Sequence, residues 1–112
     1  MTAEKWPQLI DGLISKTHSG AVTWSSPTED TLVVLFGAGA VRITYNEHRY
    51  YTLTLLNKEG RVLEERIAKD FSRVDQVNEQ RLFEVIHTLW ELARRQALKV
   101  NDVWDQALKE LV

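Results

Sequence analysis

The sequence predicts an α+β fold in which one helix precedes an antiparallel sheet and two helices follow it. Three observations predict this class. Apolar residues recur at helical spacing near the N-terminus, they switch to strand-like spacing over residues 31–67, and helical spacing returns from about Val74. Elements that are segregated in this way along a chain are typical of the α+β class. The 112 residues are expected to form one domain, residues 1–112.

The first helix is predicted over residues 4–17. Its apolar residues lie three or four positions apart and form one stripe: Trp6, Leu9, Ile10, Leu13 and Ile14. Pro7 suits the first turn, where its missing N–H donor costs nothing, and Ser19 with Gly20 supplies the helix end. Gly12 lies inside this helix, and we interpret it as a tolerated surface glycine.

Four to five short strands are predicted after this helix. Residues 21–25 and 31–36 form the first two, and the second is apolar on both faces, which predicts a central or well-covered strand. Apolar and polar residues alternate over 41–46 and over 50–55, so each of these strands should have one wet face. Residues 61–68 form the last strand. The short connections favour an antiparallel β-meander.

Two helices are predicted after the sheet and are expected to pack on one of its faces. The first spans residues 75–98 and has a broad apolar face. The second follows a break near Val100, with Asn101 or Asp102 as its N-terminal cap. Its apolar residues are predicted to face inward: Trp104, Ala107, Leu108 and Leu111.

The composition favours a soluble, cytoplasmic protein. The formal net charge is −2, whereas a domain built to hold nucleic acid usually carries a basic excess. The chain has no cysteine, which excludes disulfides and Cys-based zinc sites and favours a reducing compartment. The longest apolar run, residues 32–36, is too short to span a membrane, and the N-terminus does not resemble a signal peptide. We therefore expect no membrane partner.

No catalytic, cofactor-binding or metal-binding motif stands out in the sequence. Residues 37–39, Gly-Ala-Gly, begin like a dinucleotide fingerprint, but Arg42 replaces the third glycine and no helix follows. Glu84, His87 and Glu91 share one helix face, yet the second E-x-x-H pair that a di-iron site requires is missing from the sequence. We expect a protein that is not an enzyme and uses no cofactor or metal.

The candidate partner-binding surface consists of Trp24, Arg42, Arg49 and Tyr50. Trp24 ends a short strand beside a Ser/Pro loop, where partial exposure would suit a protein contact, although packing against the first helix is the favoured role. Arg42, Arg49 and Tyr50 cluster around one hairpin, and such a surface can bind single strands or simply form a wet sheet face. The other tryptophans are predicted to be core residues: Trp6, Trp90 and Trp104.

Three segments of the chain carry a pattern of apolar and turn residues: residues 6–24, 50–55 and 92–98. In the first, a helix leads through Thr17-x-Ser19-Gly20 into a strand that ends in Trp24. This pattern resembles small uncharacterised bacterial and phage proteins of helix–β-meander–helix order. The resemblance implies a bacterial or phage origin and that order of elements, and it carries over no functional residue.

These observations predict a non-enzymatic, intracellular protein-interaction or regulatory module. Its partner is expected to be another protein or a second copy, because a sheet edge or a helix face can pair with another chain. A homodimer is one form of this prediction. The alternative is a nucleic-acid-binding accessory protein that uses the exposed sheet face. A second alternative is a small-molecule site between the sheet and the helices, with His48 or Glu65 contributing.

Overall fold

The structure, a computed structural model, describes residues 5–47, 50–69 and 77–112. Within these ranges one helix comes first, five strands follow and two helices end the chain. Their bounds are α1 Trp6–Ser19, β1 Trp24–Thr28, β2 Thr31–Phe36, β3 Gly39–Asn46, β4 Tyr50–Asn57, β5 Val62–Lys69, α2 Val77–Ala97 and α3 Val100–Leu111. The predicted α+β class is confirmed. The predicted start of α2 at residue 75 lies outside the described residues.

The described strands form one open antiparallel sheet in the order β1-β2-β3-β4-β5, which confirms the predicted meander. Leu32 of β2 lies opposite Ile43 of β3, and Ile43 lies opposite Leu53 of β4. All three side chains are buried, so they form a continuous apolar row on one face of the sheet. Because side chains alternate along a strand, this register also decides which residues occupy the other face.

Helix α1 ends where its glycine allows the chain to turn. Gly20 has a φ of 75°, in the left-handed region that favours glycine. The Gly20 N–H donates to the Thr17 carbonyl at 3.2 Å and the Ala21 N–H donates to the Lys16 carbonyl at 2.9 Å. These bonds satisfy carbonyl groups that the end of a helix leaves unpaired. The helix therefore ends at Ser19, two residues after the predicted end at Thr17, and the chain turns at Gly20 before it enters β1 at Trp24.

The core lies between the sheet and helix α2, with α1 packed beside α2. Helix α2 contacts β1, β2, β4 and β5, and it also contacts α1. The central core residues of the two helices are Ile10, Leu13, Ile86, Leu89 and Ala93, and they share one cluster with the sheet. The tryptophans Trp6 and Trp90 belong to this cluster, as predicted.

A hydrogen-bond network joins α1, β1 and α2. The Gln96 side chain of α2 accepts from the Trp24 backbone N–H at 2.7 Å and donates from Nε2 to the Val22 carbonyl at 2.8 Å. The Trp24 indole N–H donates to Thr17 Oγ1 at 2.9 Å, and the Thr17 hydroxyl donates to the Leu13 carbonyl at 2.6 Å. The network thus pairs polar groups at the free edge of β1, where a strand partner is missing from the described sheet.

The inward orientation predicted for α3 is wrong. Trp104 is 62% exposed, Leu108 is 55% exposed and Leu111 is 82% exposed. The chain turns at Lys99, whose φ of 52° and ψ of 46° are left-handed. Helix α3 contacts the helix that precedes it, α2, and leaves its apolar residues in solvent. The spacing correctly predicted an amphipathic helix, but spacing alone does not determine what covers its apolar side.

We expect Gln96→Ala to lower the free energy of unfolding by about 1–3 kcal/mol, because it leaves the Trp24 N–H and the Val22 carbonyl without their partner. Gln96→Glu keeps an acceptor for Trp24 but loses the donor to Val22, so it should also destabilise. Urea unfolding followed by tryptophan fluorescence measures both changes. Gln8→Ala, at an exposed helix position, is the control and should change stability by less than about 0.5 kcal/mol. Equal stability of the Gln96 and Gln8 variants would contradict the role of the network.

A substitution at Gly39 tests whether the backbones of β3 and β4 approach closely at this position. A Cβ atom at Gly39 would overlap the Leu56 carbonyl oxygen and would lie 3.1 Å from the Leu56 carbonyl carbon. Gly39→Ala should therefore lower the free energy of unfolding by about 1–3 kcal/mol. Gly12→Ala is the matched control, because nothing lies within 4 Å of the added atom and alanine favours a helix interior by about 0.5–1 kcal/mol. The expectation fails if thermal unfolding shows both variants shifted in the same direction.

Candidate protein-binding surface

The largest group of exposed apolar side chains in one described helix lies on α3. Four of them are more than half exposed: Val103 63%, Trp104 62%, Leu108 55% and Leu111 82%. Together with Val100 and Ala107 they recur every three or four residues, so they form one stripe. We call these six residues the α3 face. An exposed apolar stripe of this kind is typical of a surface that another molecule covers.

Local interactions account for the formation of α3. Asp102 lies in its first turn and Lys109 in its last, where each charge opposes the partial charge of the helix end. Gln106 Nε2 donates to Glu110 Oε1 at 3.1 Å, one helical turn away. The helix begins at Val100, with Lys99 at the N-cap position, so the predicted cap at Asn101 or Asp102 is wrong.

A groove opens where α2 passes into α3. Its lining is apolar and its volume is about 370 Å³. The lining residues are Leu98, Val100, Val103, Trp104 and Ala107. Four of these belong to the α3 face, so the groove and the face are one continuous surface. A groove of this size can accept side chains of another chain.

Charged residues surround this surface without entering its centre. At 100° per residue, Asp102, Asp105 and Lys109 project away from the α3 face, whereas Glu110 borders it beside Val103. Exposed basic residues lie nearby, at the end of α2 and in the turn that leads into α3. We call them the basic junction: Arg94, Arg95 and Lys99. An apolar centre with a charged rim is the usual anatomy of a protein–protein interface.

Trp24 is 3% exposed, so its predicted place on a partner surface is wrong. Its side chain is part of the core, and its indole N–H bonds to Thr17 as described above. The favoured alternative, packing against the first helix, is the role that the structure gives it. Trp24 begins the edge strand β1, and it is buried because both helices contact it: α1 through Thr17 and α2 through Gln96.

Arg42 and Tyr50 lie on the face of the sheet opposite α2, and both are half-buried. Arg42 lies opposite Thr54 in β4, whereas Tyr50 lies opposite Asn46 in β3. The two positions are therefore four residues apart along the strand, a distance of about 13 Å. They share a face but do not meet. The third member of this predicted group, Arg49, lies outside the described residues.

The uncovered sheet face is more apolar than the sequence predicts. Leu35 is 74% exposed, although its strand β2 is apolar on both faces, a pattern that predicts a central or well-covered strand. Val62, Leu63 and Ile67 of β5 are 47%, 55% and 49% exposed. Strand β2 lies inside the sheet, between β1 and β3, which agrees with the prediction of a central strand. This position does not cover both faces of β2, because the described helices that contact the sheet pack on one face.

A second groove lies between the β1–β2 turn and α2, with a volume of about 810 Å³. It mixes charged residues, Glu29, Asp30 and Arg94, with the apolar residue Trp90. Glu65, which was considered for a small-molecule site, does not line it, and His48 lies outside the described residues. Leu98 lines both this groove and the groove beside α3. The two surfaces therefore adjoin at the end of α2.

The histidine of the predicted E-x-x-H face takes part in an aromatic cluster. His87 Nδ1 and the Tyr51 hydroxyl are 2.6 Å apart and hydrogen-bonded, and the His87 ring stacks on Phe83. Burial raises the pKa of the Tyr51 hydroxyl well above its usual value, and Tyr45 and Glu91 raise it further. Tyr51 thus stays protonated and can hold His87 in place. Among the described residues, His, Cys, Asp and Glu form no group of three that could hold a metal ion.

Comparison with protein-family models, with curated proteins and with solved structures yields no match. The predicted resemblance to bacterial and phage proteins therefore stays a prediction. In the part of the chain that the structure describes, each helix is too short or too polar to cross a membrane.

Alkaline titration tests the environment of Tyr51. The folded state holds the Tyr51 proton more tightly than the unfolded state. The free energy that the protonated Tyr51 contributes to folding is therefore fully present below about pH 10, and it is lost as the pH rises above that value. We expect Tyr51→Phe to reduce the alkaline loss by up to about 1.4 kcal/mol per pH unit. At pH 7 the same variant should lose about 1 kcal/mol with the His87 hydrogen bond.

Urea unfolding from pH 7 to 11 measures this difference, and Tyr50→Phe on the uncovered sheet face is the control. An alkaline slope that is identical in wild type and in Tyr51→Phe would show that Tyr51 does not carry the effect.

Proposed function

We propose that this protein is a non-enzymatic protein-interaction module of the cytoplasm and that it binds its partner through the α3 face. The observation that carries the proposal is the exposure of Val103, Trp104, Leu108 and Leu111 along one side of α3. The absence of cysteine from the sequence supports a reducing compartment.

Covering the α3 face would release a substantial free energy. Full burial of one large apolar side chain contributes about 1.5–3 kcal/mol, and four such side chains on α3 are more than half exposed. Trp104 lies near the middle of the helix and lines the groove, so it is the natural anchor of the contact. Central tryptophans that are surrounded by smaller apolar residues often dominate the energy of an interface.

The charge around α3 favours a protein over nucleic acid or a membrane surface. Helix α3 carries three acidic residues, Asp102, Asp105 and Glu110, against one lysine, Lys109. Helix α3 itself therefore offers little attraction to a phosphate backbone or an anionic lipid headgroup, because both attract lysine and arginine, and the three cations of the basic junction lie before the helix rather than on it. On the uncovered sheet face, Arg42 and Tyr50 lie about 13 Å apart along the strand direction, so they do not form one compact basic and aromatic patch.

Site-specific photo-crosslinking in the native host tests the proposal. A photoreactive amino acid at Trp104 should form a discrete adduct with one protein, and Leu108→Glu in the same chain should abolish that adduct. The matched control places the photoreactive group at Gln106, on the solvent side of the same helix, where we expect no adduct. Comparable adducts from positions 104 and 106, or none from 104, would refute binding through the α3 face.

A further inference from the structure

We infer that the molecule that covers the α3 face is a second copy of this chain, whose α3 packs antiparallel against the first. This inference rests on the proposed function, since it names the partner of the same surface. It follows from two features of the surface: the order of large and small residues along α3, and the charges at the two ends of the helix.

The α3 face is complementary to itself when it is read in the opposite direction. A two-fold axis that passes between positions 105 and 106 makes apolar residues face apolar residues throughout the contact. The facing pairs are Val100 with the partner's Leu111, Val103 with the partner's Leu108, and Trp104 with the partner's Ala107. The largest side chain thus meets the smallest, and it does so twice, which allows the two helices to approach closely.

The charges at the ends of α3 favour the antiparallel orientation. In this arrangement the carboxyl end of one α3 lies beside the start of the other, where Lys99 occupies the N-cap position and Arg94 and Arg95 precede it at the end of α2. That carboxyl end carries Glu110 at the border of the α3 face and the negative end of the helix dipole. Opposite charges therefore meet at both ends of the contact.

A parallel pair would bring like charges together. It would place the two basic junctions side by side at one end and the two Glu110 side chains side by side at the other. Like charges that face each other disfavour an arrangement, even where pairs of opposite charge add little to the affinity. The charges select the orientation, and the apolar residues supply the affinity.

The length of α3 limits the strength of this dimer. Its 12 residues span about 18 Å, so the contact lies at the small end of specific interfaces. We therefore expect a dimer that dissociates on dilution. Raising the salt concentration should weaken it moderately, because the charged pairs at its ends are exposed and screened.

Sedimentation equilibrium of the purified 112-residue chain tests this inference over concentrations from about 1 to 200 µM. The apparent mass should rise from the monomer mass of 13.0 kDa toward twice that value. Trp104→Ser should weaken the dimer by about 100-fold or more. Leu35→Ser is the matched control, because it removes an equally exposed apolar side chain from the uncovered sheet face and should leave the dimer unchanged.

Charge reversal tests the orientation. Glu110→Lys and Lys99→Glu should each weaken the dimer by about tenfold, and the double variant should recover most of the loss. Circular dichroism of each variant confirms that the chain still folds. Failure of the double variant to recover would overturn the antiparallel arrangement.

The two levels of the proposal fail in different ways. A chain that stays monomeric at 200 µM but crosslinks from position 104 to a different protein overturns the second copy as the partner and leaves the proposed function standing. A monomer that forms no adduct from position 104 overturns both.

Discussion

The structure depends on the side chain of Gln96, which holds the first strand of the sheet against the long helix. Its amide bonds to the backbone of Val22 and Trp24 much as a neighbouring strand would, although Gln96 lies more than 70 residues away along the chain. The indole of Trp24 continues the connection to Thr17 in α1. Three elements are therefore joined by one short set of bonds, and two backbone groups at this end of β1, the Trp24 N–H and the Val22 carbonyl, are paired.

This arrangement determines what is left for α3. With α1 and α2 packed on one face of the sheet, the core is closed by residues of these two helices and the strands. The left-handed turn at Lys99 ends α2 and directs the next helix away from that core. Helix α3 therefore keeps an apolar side that nothing in the described part of the chain covers. The same residues that would complete a core in another arrangement are here exposed and form the surface that we propose binds a partner.

Of the two polar features noted in the sequence, the His87 face and the Arg42 group, the first has a structural role. His87 hydrogen-bonds to Tyr51, whose pKa is raised by burial, and so joins α2 to the central strands. Arg42 lies among threonines on the uncovered sheet face, in register with Thr54. The proposed function instead uses apolar residues, with Trp104 at their centre and Lys99 and Glu110 setting the orientation of the partner. In protein interfaces generally, buried apolar residues provide most of the affinity, and charges at the rim provide specificity.

The sequence by itself determined the order of elements, their type and the meander, because these follow from local spacing and from short connections. It also determined that α3 is amphipathic. Only the tertiary structure decided which apolar residues are covered: Trp24, a candidate partner contact for which packing was the favoured role, is buried, and Trp104, which was predicted to be a core residue, is exposed. The physical reason is that burial depends on contacts between distant segments. Gln96 and Thr17 reach Trp24 from two helices, whereas the turn at Lys99 carries Trp104 away from every strand that it could have covered.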